Sequence, residues 1–357
     1  MTLDTAFERV TLDLDDPFTI ARGTRATAEN VVVRITDADG TTGIGAAAPS
    51  THYGETADTV EAVLPDLLAV VEDVGDPHRL NRIERRLRAT VRANPAARCA
   101  ISIALHDLVG KRLDLPLYRY WGLDPDETVS TSYTIGLDGT ERMREKAATA
   151  VDAGHSILKV KLGTERDREI VDAVRTAAPD ARIRVDANEA WTPHEAVDTI
   201  ETLAAFDVEF VEQPVPAENP AGLEYVHERS ALPIAADESC VTLADVPEVA
   251  GRADIANIKL MKCGELREAK RMLHAARAHG LDVMLGCMIE SNAAIAAGCH
   301  LAPLLDYADL DGSLARRRSV CGRSDGGRRG GSRRERSAGH RRARADGLTP
   351  RPRVNSP

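Results

Sequence analysis

The 357-residue chain carries 46 Lys and Arg against 56 Asp and Glu, a formal net charge of −10, and has ample material for a large core in two domains. No apolar run approaches the roughly 20 residues that cross a bilayer, which excludes a membrane-spanning helix. Six cysteines without a Cys-x-x-Cys pair, and no secretory signal, point to reduced thiols in a cytoplasmic enzyme.

Residues 1–47 hold alternating runs (AFERVTLDL, ENVVVRITD) separated by turn signals such as Ala38-Asp39-Gly40, the pattern of an antiparallel sheet. Residues 56–113 are helical, with apolar positions at three and four spacing in AVLPDLLAVVEDV and AARCAISIALHDLVGKRL. His106 lies on the apolar helix and reads as a packed core residue, because the ten histidines show no ligand-like spacing. Pro116 and Trp121-Gly122 close this α+β part, and SYTIGL opens the next. The predicted organisation is an α+β domain over 1–120, a β/α barrel over 121–314 and a tail over 315–357.

Five segments of the barrel region, ILKVKLG, RIRVDAN, VEFVEQP, LPIAADES and IANIKLMK, each end in an ionisable residue. These are Lys161, Asp186, Glu212, Asp237 and Lys259, at intervals of 25, 26, 25 and 22 residues. A strand of about five residues, a helix of about a dozen and two short loops fill such an interval. The ends of parallel barrel strands share one rim, where barrel enzymes build their sites. Helix capping would account for any one of these acids. It does not account for five ionisable residues in phase, ordered Lys-Asp-Glu-Asp-Lys. The arrangement reads as a divalent-metal site with a base on either side.

Lysine usage sharpens that reading. Only seven of the 46 basic residues are lysines, and four of them lie in KVK and KLMK. Arginine cannot readily give up its proton, so lysine stands where a deprotonatable amine is needed. The two-residue strand period puts Lys159 and Lys161 on one face. Lysines crowded near a metal are expected to have lowered pKa values. Further on, LDVMLGCMIES brings Gly286 to Ser291 to the rim, and LDYADLDGSL carries Asp309 and Asp311 on one side of the next strand end. Cys240, Cys287 and Cys299 read as small core or site-wall residues.

Together KVK, VDAN, VEQP, ADES and NIKLMK resemble the muconate-lactonizing subgroup of the enolase superfamily, and within it the dipeptide epimerases of the L-Ala-D/L-Glu epimerase type. The resemblance covers residues 1 to about 314. It implies an α/β architecture, an enolase-like (β/α)7β barrel capped by the N-terminal α+β domain. It also implies Mg²⁺ on Asp186, Glu212 and Asp237, with Lys161 and Lys259 as an acid/base pair on opposite faces of the substrate. Lys or His bases paired with Mg²⁺ are the superfamily's pattern. Lys159 would lie beside the site, Asp309 and Asp311 would hold a substrate α-ammonium group, and Thr134 would join the substrate-binding set. Two cap loops would add specificity, PFTIARGTR through Arg22, which by resemblance matches the cap arginine that grips an acidic group of the substrate, and APSTHYGET through Tyr53. Asn188 and Glu238 would support the metal ligands. The implied partner is a small molecule, a dipeptide or related carboxylate, with homo-oligomerisation left open. A muconate-type cycloisomerase or an o-succinylbenzoate synthase could use the same lysines, but the dianionic substrates of the former would gain nothing from two carboxylates at the eighth strand.

Residues 315–357 hold 14 Arg against three acids, a net +11, which leaves −21 on residues 1–314. The acidic, lysine-poor body suggests a protein adapted to high salt, from a halophile. The tail lacks periodicity and large apolar residues and is expected to be disordered. Arginine-rich arms bind RNA, but no aromatic residues interleave here. The abrupt change after LDGSL favours a shifted reading frame over a nucleic-acid arm.

Overall fold

Alternating β-branched residues in the first fifty positions build a three-stranded antiparallel sheet. In the computed structural model, which describes residues 2–314, β1 (Leu3–Ile20) pairs with β2 (Gly23–Asp37) and β2 with β3 (Thr42–Ala47). The expectations for the tail fall outside the described residues. Val31, Val33 and Ile35 are completely buried, whereas Arg34 reaches outward to Glu8 at 2.6 Å. At the predicted turn, Asp37 Oδ1 accepts the N–H groups of Asp39 and Thr41, and Gly40 takes φ +82°.

Three helices, Ala57–Val74, Leu80–Thr90 and Pro95–Leu113, complete this part. The last lies directly on β3, and the sequence permits that only through two glycines. A Cβ at Gly43 would come within 2.0 Å of Ala104 O, and one at Gly45 within 2.0 Å of Ala100 O. His106 is buried in the same helix, with Nδ1 2.7 Å from Ser102 O, as a packed core residue should be.

The second part is an eight-stranded parallel barrel in sequential order: β4 (Tyr133–Ile135), β5 (Ile157–Lys161), β6 (Arg182–Asp186), β7 (Val208–Glu212), β8 (Ile234–Ala236), β9 (Ile255–Lys259), β10 (Asp282–Gly286) and β11 (Tyr307–Asp309). Thr131 bridges to Ala308, and Ser132 N donates to Ala308 O at 3.0 Å, joining the last strand to the first. A helix follows each of the first seven strands, so the described chain forms the (β/α)7β barrel. The strands are buried on both faces, as parallel strands covered by helices must be. Local signals start the helices. Before Pro193–Leu203, Thr192 and Glu195 form a capping box and Pro193 opens the first turn.

Beneath the rim the barrel is plugged. Phe210, Ala235, Ile255 and Met284 form a separate buried cluster against Tyr307. The buried Arg184 guanidinium lies over the rings of Phe210 and Tyr307 and pairs with Glu209 at 2.7 Å. Cys240 is buried and Cys287 sits in a cavity wall, but Cys299 is exposed. Its helix, Asn292–Cys299, turns Ala294, Ile295, Ala297 and Gly298 inward instead.

Ion pairs fasten the helices of the first part to the barrel helix Leu266–Ala278 and the loop before it. Glu84 accepts from Arg267 at 2.9 Å, and Arg88 pairs with Glu265. Glu84 and Glu265 are almost wholly buried, and burial pushes the Glu265 carboxyl up to about 7.

The glycine contacts give a direct test. Gly45→Ala forces the helix off β3 and is expected to cost about 1–3 kcal/mol or more of unfolding free energy, as overpacking does. Denaturant titration measures it, and an unchanged midpoint would refute the close approach.

Candidate active site

Strand register assembles the rim. Lys161 lies opposite Asp186 on the paired strands β5 and β6, and Asp186 opposite Glu212 on β6 and β7. Gly286 sits between Lys259 on β9 and Asp309 on β11. Asp237 directly follows β8. The predicted charged residues therefore do meet at one end of the barrel. Asp186, Glu212 and Asp237 are completely buried, and Lys159, Lys161 and Lys259 nearly so.

The charges pair closely. Lys159 Nζ lies 3.0 Å from Asp186 Oδ2, 2.7 Å from Glu212 Oε2 and 2.8 Å from Asp309 Oδ2. Lys161 Nζ donates to Asp186 Oδ2 at 2.6 Å, and Lys259 Nζ to Asp237 Oδ2 at 2.6 Å. Lowered amine pKa values were expected beside a bound metal ion; with the carboxylates alone as neighbours, Lys159 and Lys259 are both raised. Burial favours the neutral amines, but Asp186 and Asp309 beside Lys159, and Asp237 beside Lys259, outweigh it and hold the ammonium forms.

The site also contains supports that the sequence reading passed over. Lys262, buried in the KLMK turn, donates to Asp237 O, Asp237 Oδ1 and Asn257 O at 2.5, 2.7 and 2.8 Å. Asn257 Nδ2 holds Glu212 Oε1 at 2.8 Å, and Gln213 Oε1 accepts Asp237 N at 2.9 Å. Ser132 Oγ donates to Asp309 Oδ1 at 2.6 Å. Asn257 could have been found from the strand period, since it stands two residues before Lys259 on the same inward face. Ser132 likewise stands two residues before Thr134, and Lys262 is one of the four lysines of KVK and KLMK.

Asn188 and Glu238 stand next to the carboxylates as expected. Asn188 N donates to Asp186 Oδ1 at 2.9 Å, and its amide contacts Glu238 Oε1 at 3.4 Å. Arg22, at the tip of the β1–β2 hairpin, points here too, but its guanidinium is already occupied. It donates to Glu189 Oε2 at 2.8 Å, Asn188 O at 3.0 Å and Glu238 Oε1 at 2.7 Å. His52, Glu189 and Glu238 place ligand atoms within 4.8 Å of one another, and Arg22 supplies the cation for the two acids of that group.

Above the lysines opens a cavity of about 470 Å³. Lys159, Lys161, Lys259, Asp309, Asp311, Arg22, Tyr53 and Thr134 all line it, together with apolar Phe18, Ile20 and Met288. Asp186, Glu212 and Asp237 lie behind the lysines.

The carboxylates fit a hard dication. Glu238 Oε2, Asn188 Oδ1 and Asn257 Oδ1 are buried oxygens without a hydrogen-bond donor, and Glu212 Oε2 has only its ion pair with Lys159. Burial, with Asp186 nearby, pushes the Glu212 carboxyl up to about 8. An all-oxygen set with acceptors to spare is what Mg²⁺ takes.

Comparison with known proteins agrees with this geometry. Residues 3–122 match the mandelate racemase/muconate lactonizing enzyme N-terminal domain, and residues 142–316 match the enolase C-terminal domain-like family. The chain belongs to the enolase superfamily. It is 41% identical over 305 residues to the L-Ala-D/L-Glu epimerase of Bacteroides thetaiotaomicron, covering 85% of this chain and 78% of the relative. The dipeptide epimerase of Enterococcus faecalis, solved with Mg and L-Leu-L-Tyr, superposes with a TM-score of 0.83 at 35% identity, covering 90% of this chain and 93% of that one. The Methylococcus capsulatus dipeptide epimerase, solved with Mg and L-Arg-D-Lys, gives 0.83 at 36%, with the same coverage. Within the superfamily, this chain's similarity lies with the dipeptide epimerases.

Lys262 generates a test that does not depend on turnover. In chelator, Lys262→Met leaves Asp237 short of a buried partner and should cost about 3–5 kcal/mol. Because Mg²⁺ would restore positive charge beside Asp237, saturating Mg²⁺ is expected to raise the melting temperature of the variant more than that of the wild type. Equal shifts would mean that the ion does not bind at Asp237.

Proposed function

We propose that this enzyme epimerises dipeptides, inverting the α-carbon of one residue with Mg²⁺ as cofactor. The observation that carries the reading is the placement of two lysines across one cavity. Lys161 ends β5 and Lys259 ends β9, four strands apart in a closed eight-stranded barrel, so they approach a bound substrate from opposite sides. Proton removal by one and return by the other inverts the centre between them. Asp186, Glu212 and Asp237 would hold the Mg²⁺, whose positive charge stabilises the negative charge that develops as the α-proton leaves.

The rest of the cavity supports a zwitterionic substrate. Asp309 and Asp311 supply negative charge at the eighth strand, which suits an α-ammonium and disfavours the dianion of a muconate-type cycloisomerase. Thr134 and Tyr53 line the substrate space, and residues 1–120 act as the specificity cap over the 121–314 barrel. Arg22, engaged by Glu189 and Glu238, serves to fasten the cap hairpin over the site rather than to grip an acidic substrate group. No helix among the described residues is long and apolar enough to cross a membrane. The acidic, lysine-poor body supports a cytoplasmic enzyme of a salt-adapted organism.

Two tests follow from these roles. Lys161→Ala and Lys259→Ala should each abolish epimerisation, yet each should still exchange the α-proton of one substrate stereoisomer in D₂O, the two variants acting on opposite stereoisomers. Loss of exchange with both stereoisomers in both variants would contradict the two-base reading. Arg22→Ala should lower kcat/KM to a similar degree for dipeptides with acidic and apolar side chains. A loss confined to acidic dipeptides would instead make Arg22 a substrate ligand.

A further inference from the structure

Two walls of the cavity are apolar, and each is held by contacts of its own. On one side, the tip of the β1–β2 hairpin rests on the loops after β4 and β5. Leu137 N donates to Thr19 O at 2.8 Å. A Cβ at Gly136 would come within 3.2 Å of the Phe18 ring, and one at Gly163 within 3.0 Å of Ala21 Cβ. Phe18 and Ile20, two residues apart and therefore on one face of the hairpin, are half-buried and line the cavity. This is the side of the rim where β5 ends in Lys161.

On the other side, the loop after β10 carries Met288 and Ile289, also half-buried cavity residues. β10 neighbours β9, which ends in Lys259. Asn30 of β2, completely buried, grips this loop with both ends of its amide. Its Nδ2 donates to Ile289 O at 3.1 Å, and its Oδ1 accepts Ser291 N at 3.0 Å. The loop after β11 holds it as well. Glu290 N donates to Gly312 O at 3.2 Å, and a Cβ at Gly312 would come within 2.0 Å of Met288 O.

We propose that Phe18 and Ile20, facing Met288 and Ile289, form a pocket for an apolar side chain on the residue that is inverted, with Asn30 as the positioning residue that fixes the second wall. The proposal rests on the dipeptide reading above and deepens it by naming the substrate class. The enzyme takes dipeptides whose inverted residue resembles Leu or Met, not Glu or Lys.

The charges around these walls leave an ionised side chain without a partner. Arg22 is engaged by Glu189, Glu238 and the Asn188 carbonyl. His52 faces Glu189 at 3.6 Å. Arg25 lines the cavity but is exposed and touches Thr51 Oγ1 at 3.4 Å, so its charge stays in water. Glu29 falls on the opposite face of β2 from Asn30. A side chain rising from an α-carbon between Lys161 and Lys259 therefore meets hydrocarbon on both sides. Burying an unpaired charge there is costly, whereas a Leu or Met side chain gains in proportion to the apolar area it covers. The wall is only as dry as its loop is fixed, which is the part given to Asn30.

The test measures kcat and KM of the full-length, Mg²⁺-loaded enzyme for L-Ala-L-Xaa and L-Xaa-L-Ala, with Leu, Met, Glu or Lys as Xaa. NMR in D₂O locates the exchanged α-position. The wild type is expected to favour Leu or Met over Glu and Lys at the inverted position by about tenfold or more in kcat/KM. Ile20→Asn and Met288→Gln, which place an amide in either wall, should each cut that preference about fivefold or more, through KM. Asn30→Asp keeps an acceptor for Ser291 N but loses the donor to Ile289 O. It should raise KM for the Leu and Met dipeptides several-fold with kcat nearly unchanged, and Asn30→Ala should raise it further. Arg25→Ala should keep the wild-type preference. A wild type that prefers Glu or Lys would overturn the proposal, as would a preference that survives intact in both Ile20→Asn and Met288→Gln. Asn30 variants that melt earlier but keep the wild-type KM would refute its positioning role, and the two wall variants decide the pocket should the Asn30 variants not fold. A loss of acidic dipeptides in Arg25→Ala would contradict the charge assignment. A wild type that exchanges no dipeptide α-proton would refute the dipeptide reading itself, and this proposal with it.

Discussion

Four carboxylates, Asp186, Glu212, Asp237 and Asp309, and four lysines, Lys159, Lys161, Lys259 and Lys262, are buried together at one end of a barrel. Removing a single such ion from water costs several kcal/mol even after relaxation, so none can be buried without a partner. That constraint explains much of the surrounding structure. It accounts for the lysine with three carboxylate neighbours on β5, for the buried Lys262 that contributes nothing to the cavity wall, and for the amides of Asn257 and Gln213 behind the ligands. The apolar plug of Phe210, Ile255, Met284 and Tyr307 beneath it closes the barrel under the charges.

Periodicity made this much legible in the sequence. Each strand end recurs about every 25 residues, and parallel pairing turns that linear interval into adjacency around a rim. Lys161, Asp186 and Glu212 are consecutive neighbours in the register for that reason. The antiparallel sheet was equally plain in ENVVVRITD, whose second half alternates, with Val33, Ile35 and Asp37 buried and Arg34 and Thr36 less so. What did not show was how closely lysine and carboxylate pair, with carboxylate oxygens within 3.0 Å of both Lys159 and Lys259. The ion pairs of Arg22 did not show either. Its partners Glu189 and Glu238 lie more than 160 residues away in the loops after β6 and β8.

The cap and the barrel are bound by polar contacts in two places. Away from the site, Glu84 and Glu265 are buried with arginine partners, which fixes the cap helices firmly on the helix Leu266–Ala278. At the site, the hairpin tip is held by Arg22, whose side chain is about one-third exposed, and by the Thr19 carbonyl accepting Leu137 N at 2.8 Å. In each place a partly exposed arginine reaches an acid whose side chain is about 1% exposed, so the hairpin tip and the cap helices are fastened by contacts of the same kind.

The most direct test follows α-proton exchange by the wild-type enzyme in D₂O, observed by NMR over a panel of dipeptides, with and without chelator. The account predicts that deuterium enters the α-position of one residue together with inversion at that carbon, that chelation stops both, and that Mg²⁺ restores both. Inversion without deuterium uptake, or exchange that continues unchanged in the chelated enzyme, would contradict it.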